Sequence, residues 1–266
     1  MTIRVCLAGA TGWAGSALCR GIFEASDMEL VAGISRSQAG KVLGDVLGIE
    51  GLTTPIFATI AEGLETKPDV VVEYTKPDVA KANTLSALRG GAHVVVGTSG
   101  LGEGDYREID QVAQEARRGV LAVGNFALTA VLLQKFAEIA ARYIPHWEII
   151  DYAHAGKVDA PSGTARELAE RLSRVRESQL DVPLETMQGP KESRGVRLNG
   201  SQVHSVRLPG YVISVDAIFG MPDQKLVIRH ESGTSAEPYV SGALLAIRKV
   251  SGLVGVHRGL DRVMEF

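Results

Sequence analysis

The chain has 266 residues, 45% hydrophobic and 22% charged, enough apolar material for a substantial core in one large domain or two modest ones. Its 28 basic and 31 acidic residues leave a formal net charge of −3, against the basic surplus expected of a nucleic-acid or anionic-membrane binder. Two cysteines, Cys6 and Cys19, exclude a disulfide framework or zinc ribbon, and 30 glycines without a three-residue period exclude a collagen-like chain.

The first half alternates strand and helix patterns. Ile3–Ala8 (IRVCLA) is a short apolar run ending at glycine, and Gly12 to Ala25 reads as a helix. Strands are expected at Leu30–Ile34, around Val70–Val72, at His93–Val96 and at Val120–Val123. Helices are expected at Pro77–Arg89 and Asp105–Arg117. Continuous β-branched runs separated by helices indicate a doubly wound parallel sheet of Rossmann type. The pattern changes after about Asn125. Ala130–Tyr143 is an amphipathic helix, Trp147–Ala153 a strand and Ser162–Arg174 a helix. The polar stretch Met187–Gln202 reads as an exposed loop. Strand-like segments at Val203–Arg207, Tyr211–Ile218 and Lys225–His230 follow at short spacing, which favours antiparallel pairing. Pro238–Lys249 is helical again. The expected organisation is an α/β dinucleotide domain over 1–125, completed by 238–266, and an α+β domain with a mixed or antiparallel sheet over 126–237.

Met1 leads straight into a strand-like segment, so no signal peptide is expected. The uncharged stretch Gly119 to Gln134 is too short and interrupted for a membrane span, and a cytoplasmic protein is the default.

Gly9-Ala10-Thr11-Gly12-Trp13-Ala14-Gly15 links the first strand to the first helix with Gly-x-x-Gly-x-x-Gly spacing. Gly9 permits a tight turn, Gly12 close backbone approach and Gly15 close helix–strand packing, with a pyrophosphate on the helix N-terminus. The alternative is a tight structural turn. After the second strand, where NAD-preferring proteins tend to place an acid, the chain reads Ser35-Arg36-Ser37 with Lys41 nearby. Arg36 suits a 2′-phosphate, which favours NADPH over NADH; the alternative is a solvated surface arginine.

His154 to Ala165 (HAGKVDAPSGTA) lies between a strand and a helix. Ser162 is a plausible N-cap, which leaves Gly163 and Thr164 to offer backbone N–H groups to an anion. Lys157 adds positive charge and His154 a proton-exchanging group. Residue types alone leave an anionic-substrate pocket and a merely capped helix with solvated Lys157 and His154 both open. His93, His146, His230 and His257 lack ligand-like spacing, so no metal site is expected. Trp13, counted with Thr11 and Ala14 among the cofactor-binding residues of the glycine loop, and Tyr152 flank the candidate sites; contact with cofactor or substrate and simple aromatic packing are both open for each, packing being the simpler reading.

The glycine loop, Gly97-Thr98-Ser99-Gly100, Gly124-Asn125-Phe126, Lys157-x-Asp159-Ala160-Pro161-Ser162-Gly163-Thr164-Ala165 and His204-Ser205-Val206-Arg207 together resemble the 4-hydroxy-tetrahydrodipicolinate (dihydrodipicolinate) reductase family. The resemblance runs in order from roughly Ile3 to Ile247. It implies a Rossmann nucleotide domain and a second domain that carries substrate and assembles a homotetramer through its sheet. It also implies reduction of a cyclic dicarboxylate in lysine and diaminopimelate biosynthesis, with NADPH or NADH. Ser99, His154, Lys157, Ser162, Gly163 and Thr164 would hold substrate, with Lys157 and His154 catalytic. Gly97, Thr98, Asn125 and Phe126 would lie along the nicotinamide, and Thr75 of Glu73-Tyr74-Thr75-Lys76-Pro77 would line the cofactor, as the family's Asp-Phe-Thr-x-Pro does.

Three features depart from the family pattern. Its first histidine, the proposed proton donor of Glu-x-His-His-x-x-Lys, is Ala153 here, while the second matches His154. Its Gly-Glu-His is replaced by Ile213-Ser214-Val215, and an arginine is missing from Ser232-Gly233-Thr234-Ser235-Ala236. General acid catalysis is commonly worth about 10²–10⁴-fold. Two further readings follow: an NADPH-dependent reductase of another conjugated imine, enone or quinone-like substrate, or an inactive nucleotide-binding sensor, which the retained Lys157 and Ser162–Thr164 set opposes.

Overall fold

The structure, a computed structural model, describes residues 2–266. One compact unit runs to Leu128 and resumes at Ala236, and the other holds Thr129–Ser235. The first unit contains β1 (Ile3–Ala8), α1 (Trp13–Glu24), β2 (Met28–Ile34), α2 (Leu43–Leu47), β3 (Ile56–Phe57), α3 (Ile60–Leu64) and β4 (Val70–Glu73). It continues through α4 (Pro77–Arg89), β5 (His93–Val96), α5 (Glu103–Ala116) and β6 (Gly119–Ala122). Helix α6 (Leu128–Tyr143) leads into β7 (His146–Ala153), α7 (Gly163–Ser173), β8 (Val196–Leu198), β9 (Ser201–Arg207), β10 (Ile213–Met221) and β11 (Gln224–Ser232). Helix α8 (Glu237–Val250) and β12 (Gly255–Arg258) belong to the first unit again.

The first sheet has seven strands in the order β12-β6-β5-β4-β1-β2-β3, with every named pairing parallel. Its central strands are continuous apolar runs because both faces are covered: Val71, Val94, Val96 and Val120 pack with Leu85 and Leu88 of α4 and Ile109 and Ala113 of α5. The strand order reverses between β1 and β4, whose C-terminal ends pair at Ala8 and Glu73. That switch point is where doubly wound folds bind ligands. Both cysteines are buried thiols, and burial pushes each up to about 12.

The second sheet has the order β11-β10-β7-β9-β8. Strand β7 alternates strictly: Trp147, Ile149, Asp151 and Ala153 point inward, the residues between them to the other face. Trp147, Ile149, Val215, Ala217 and Phe219 pack against Leu133 and Ala137 of α6 and Leu168 and Leu172 of α7.

Several expectations are corrected. Of the three closely spaced segments, 213–221 and 224–232 do pair antiparallel, but 203–207 does not pair with 213–221: β7 lies between them, antiparallel to β10 and parallel to β9, with α7 in the crossover that a parallel pair needs. The expected loop over 187–202 contains β8 and the start of β9. Asn199 and Gly200, with φ of 46° and 76°, close a tight hairpin between them. Strand β10 begins at Ile213 rather than Tyr211. The short α2, β3 and α3 and the edge strand β12 carry too few residues to show periodicity and were not expected.

Candidate active site

The turn between β1 and α1 is built on glycine contacts. Gly9 has φ of 83°, and a Cβ there would lie 2.2 Å from the Tyr74 carbonyl oxygen. A Cβ on Gly15 would lie 2.0 Å from the Gly9 carbonyl oxygen, so α1 presses directly on the turn. Gly12 is the N-cap of α1 and makes no side-chain cap bond. The first-turn amides of Trp13, Ala14 and Gly15 are therefore uncapped, at the positive end of the helix dipole. Thr11 Oγ1 lies 2.7 Å from Ser35 Oγ and ties this turn to the end of β2. A cleft of about 580 Å³ is lined by Gly9, Gly12, Ser35, Arg36, Tyr74 and Thr75 among others, and Arg36 is exposed in it. Trp13 is not a packed aromatic: it meets Tyr239 edge-on at 5.8 Å and leaves 61% of its surface exposed. Tyr152 does pack, stacked on Tyr211 at 5.1 Å with its hydroxyl 3.3 Å from Asp216.

At the ends of β4 to β6, Gly97 sits between the Tyr74 and Phe126 rings, where a Cβ would lie 2.3 Å and 2.8 Å from them. Phe126 is buried and packs on Tyr74, so its place is in the wall of the first unit. Asn125 Oδ1 accepts from the Ala127 amide, and Ser99 is exposed in the loop after β5. Thr75 and Thr98 both reach Glu73, which heads the Glu73-Tyr74-Thr75-Lys76-Pro77 segment and was assigned no role of its own. Glu73, fully buried, accepts from the Thr75 amide, the hydroxyls of Thr75 and Thr98, and Asn83.

In the second unit, the loop after β7 carries His154 and Lys157 in one turn, with the Lys157 amide donating to the His154 carbonyl oxygen at 3.1 Å. His154 is exposed. Lys157 Nζ lies 2.7 Å from Asp159 Oδ1, and the ammonium holds the Asp159 carboxyl below its usual range. The Ala160–Pro161 peptide is cis and leads into Ser162. Ser162 caps α7: its Oγ accepts from the Ala165 amide at 3.3 Å. The buried Ser162 hydroxyl is thus committed to the helix, and Gly163 and Thr164 carry the two uncapped amides ahead of it.

What aims this helix is Asp151, fully buried on β7. Asp151 Oδ2 accepts from the Ser162 amide at 2.8 Å and from Arg207 Nη2 at 2.7 Å, and Arg207 also donates to the Asp159 carbonyl oxygen at 2.7 Å. One carboxylate and one guanidinium therefore hold this loop at Ser162 and at Asp159. His204 points elsewhere, with Nε2 2.7 Å from Glu148 Oε2. Ala153 is fully enclosed, paired with Ile213 on β10 and Arg207 on β9. Among the described residues, no group of three or more His, Cys, Asp or Glu side chains could hold a metal ion, and no helix is long and apolar enough to cross a membrane.

The glycine cradle and the capped, lysine-flanked helix coincide with a known protein family. The sequence profile for dihydrodipicolinate reductase, N-terminus, matches residues 3–126, and that for dihydrodipicolinate reductase, C-terminus, matches residues 129–263. The 4-hydroxy-tetrahydrodipicolinate reductase of Bacillus pumilus is 38% identical over 265 residues, covering 99% of this chain and 98% of that protein. Its counterpart from Desulfitobacterium hafniense is 39% identical over 265 residues, covering 99% of each. Dipicolinate-bound dihydrodipicolinate reductase from Paenisporosarcina sp. TG-14 superposes with a TM-score of 0.88 at 31% identity, covering 99% of this chain and all of that one. An amine dehydrogenase from Mycobacterium smegmatis, at a TM-score of 0.67 and 16% identity over 100% of this chain and 97% of that one, shares the fold alone. With both halves matched in order and relatives of more than 30% identity along its whole length, the chain belongs to the dihydrodipicolinate reductase family of NAD(P)H-dependent oxidoreductases.

Proposed function

We propose that this chain reduces 4-hydroxy-tetrahydrodipicolinate in lysine and diaminopimelate biosynthesis, with NADPH as the preferred cofactor. The observation that carries it is the start of α7. Gly163 and Thr164 offer two uncapped amides, Lys157 stands in the preceding loop, and Asp151 and Arg207 hold that loop in place. This set suits a small dicarboxylate, the class of ligand named in the Paenisporosarcina structure.

The glycine cradle fits a dinucleotide, because side chains are excluded where Gly9 and Gly15 approach backbone and the α1 amides are free for a pyrophosphate. When bound, the nicotinamide supplies a hydride. Ser35 and Arg36 receive the adenosine side, and Arg36 pairs with a 2′-phosphate. Thr75, Gly97, Thr98, Asn125 and Phe126 form the nicotinamide side. Gly163 and Thr164 hold a substrate carboxylate, with Ser162 keeping their helix capped. Lys157 Nζ, fixed by Asp159, balances negative charge that develops on the ring. Ala153 has no proton to give, so the proton step falls to the exposed His154 imidazole in the same turn as Lys157. A homotetramer formed through the outer face of the second sheet fits the exposed Val227 there, beside Ile218 on the neighbouring strand.

The test is NADPH oxidation by the purified chain with freshly generated 4-hydroxy-tetrahydrodipicolinate. Turnover is expected in the wild type, with a loss of about 10²–10³-fold in Lys157→Ala. Arg36→Ala should raise KM for NADPH while leaving KM for NADH unchanged. Tight NADPH binding without turnover would sink the substrate assignment and turn the search to other conjugated acceptors.

A further inference from the structure

Glu73 ends β4 after three valines and is fully buried. Its Oε1 accepts from the Thr75 amide at 2.9 Å, from the Thr75 hydroxyl, and from the Thr98 hydroxyl at 3.3 Å. Its Oε2 accepts from Asn83 Nδ2 at 2.9 Å. Burial pushes this carboxyl up, and the bonds from Thr75, Asn83 and Thr98 pull it back down. A carboxylate has about four acceptor sites, and here four donors converge on it.

The direction of these bonds has a chemical result. A threonine hydroxyl has one proton and two lone pairs. Thr98 Oγ1 also has the Glu73 carbonyl oxygen within reach at 3.4 Å, but the Thr75 hydroxyl gives its proton to the Glu73 carboxylate, and its oxygen has only lone pairs left to offer. Thr75 and Asn83 line the cleft beside the glycine turn. In the strand order, β1 separates β2, which carries Ser35 and Arg36 at its end, from β4 and β5, which carry Thr75 and Thr98. Two nucleoside halves laid across the switch point therefore place adenosine toward β2 and nicotinamide toward β4 and β5. Phosphate oxygens would be repelled by an acceptor-only hydroxyl, whereas an amide N–H₂ would be bound by it.

We propose that Glu73 is a positioning residue: by taking the Thr75 hydroxyl proton it fixes that hydroxyl as an acceptor, so that the cleft selects the carboxamide amino group of the nicotinamide. This rests on the cofactor assignment above and adds to it a cause for ring orientation.

The full chain is titrated with NADP⁺ and with its 3-acetylpyridine analogue, in which a methyl ketone replaces the carboxamide and offers no N–H, and protein fluorescence reports binding. The wild type should bind NADP⁺ roughly 3–10-fold more tightly than the analogue, the worth of one neutral hydrogen bond. In Glu73→Gln the side-chain amide donates as well as accepts, which frees a threonine proton and shrinks the ratio toward one. Glu73→Asp, which keeps a carboxylate, should retain part of the preference. Thr75→Val, which removes the acceptor and leaves Glu73 in place, should shrink the ratio too and serves if Glu73→Gln does not fold. Equal weakening of both nucleotides with the ratio preserved, in either Glu73→Gln or Thr75→Val, overturns the proposal. So does equal affinity of the wild type for both nucleotides, which leaves the cofactor assignment standing. Binding of neither nucleotide would defeat the cofactor assignment itself.

Discussion

Ala153 occupies the position of the family's first histidine, and its methyl group is fully enclosed. Its partner across the sheet is Ile213, where the family pattern has glycine, and both positions belong to the inward face of their strands. A small residue opposite a large one fills the same space as the reverse arrangement, so the absent imidazole and the added isoleucine are one change in packing. Ala153→His alone should therefore overpack this point and cost about 1–3 kcal/mol in urea unfolding. The double variant Ala153→His with Ile213→Gly should recover part of that loss, a coupling that a double-mutant cycle measures directly. Additive losses would mean that the two side chains do not share the space. A rise in kcat confined to the double variant would identify the missing histidine as the point of functional divergence.

At the level of elements, the strands and long helices were legible because apolar periodicity is a local property, as Ile3–Ala8, Pro77–Arg89 and His93–Val96 show. The Asn199-Gly200 hairpin was also written in the sequence, as the strongest short hairpin signal, but its polar flanks hid strands of three and seven residues. Glu73 and Asp151 were not legible as organisers. Each is a single acid on an apolar strand, and its role depends on donors brought from distant positions: Thr98 for Glu73, Ser162 and Arg207 for Asp151. The second of these has a testable cost. Asp151→Asn keeps an acceptor for the Ser162 amide but leaves Arg207 without its carboxylate. Breaking a buried pair costs about 3–5 kcal/mol, and the lower end is expected because Arg207 keeps its bond to the Asp159 carbonyl oxygen. If the pair serves to aim α7, the KM for substrate should rise by a larger factor than kcat falls. Loss of stability with KM unchanged would reduce Asp151 to a purely structural residue.

Across the whole molecule, each unit holds one histidine whose folded environment disfavours its charged form. In the first, His93 Nδ1 accepts the Gly119 amide at 2.9 Å, and burial, with Arg118 adding to it, lowers the imidazole from its ordinary 6.5. In the second, His230 Nδ1 lies 2.9 Å from Thr129 Oγ1, and burial lowers it likewise. A histidine with a lowered folded pKa binds fewer protons folded than unfolded, so stability rises with pH across the gap between the two values. The full contribution is present above about pH 6.5 and is lost as pH falls from there toward the folded values. Glu73 runs the other way, because burial raises its carboxyl and acid relieves the charge. Most carboxylates titrate below about pH 5, so denaturant unfolding at about pH 7.5 and pH 5.5 reads chiefly the histidines, with Glu73 opposing them. The chain should be less stable at the lower pH. His93→Asn places an amide oxygen near the site of Nδ1, accepts the Gly119 N–H without titrating, and should flatten the dependence. His230→Gln should flatten the remainder, since the two sites lie in separate units and their effects should add. If both variants lose stability yet keep the full pH slope, the acid sensitivity arises outside these two rings.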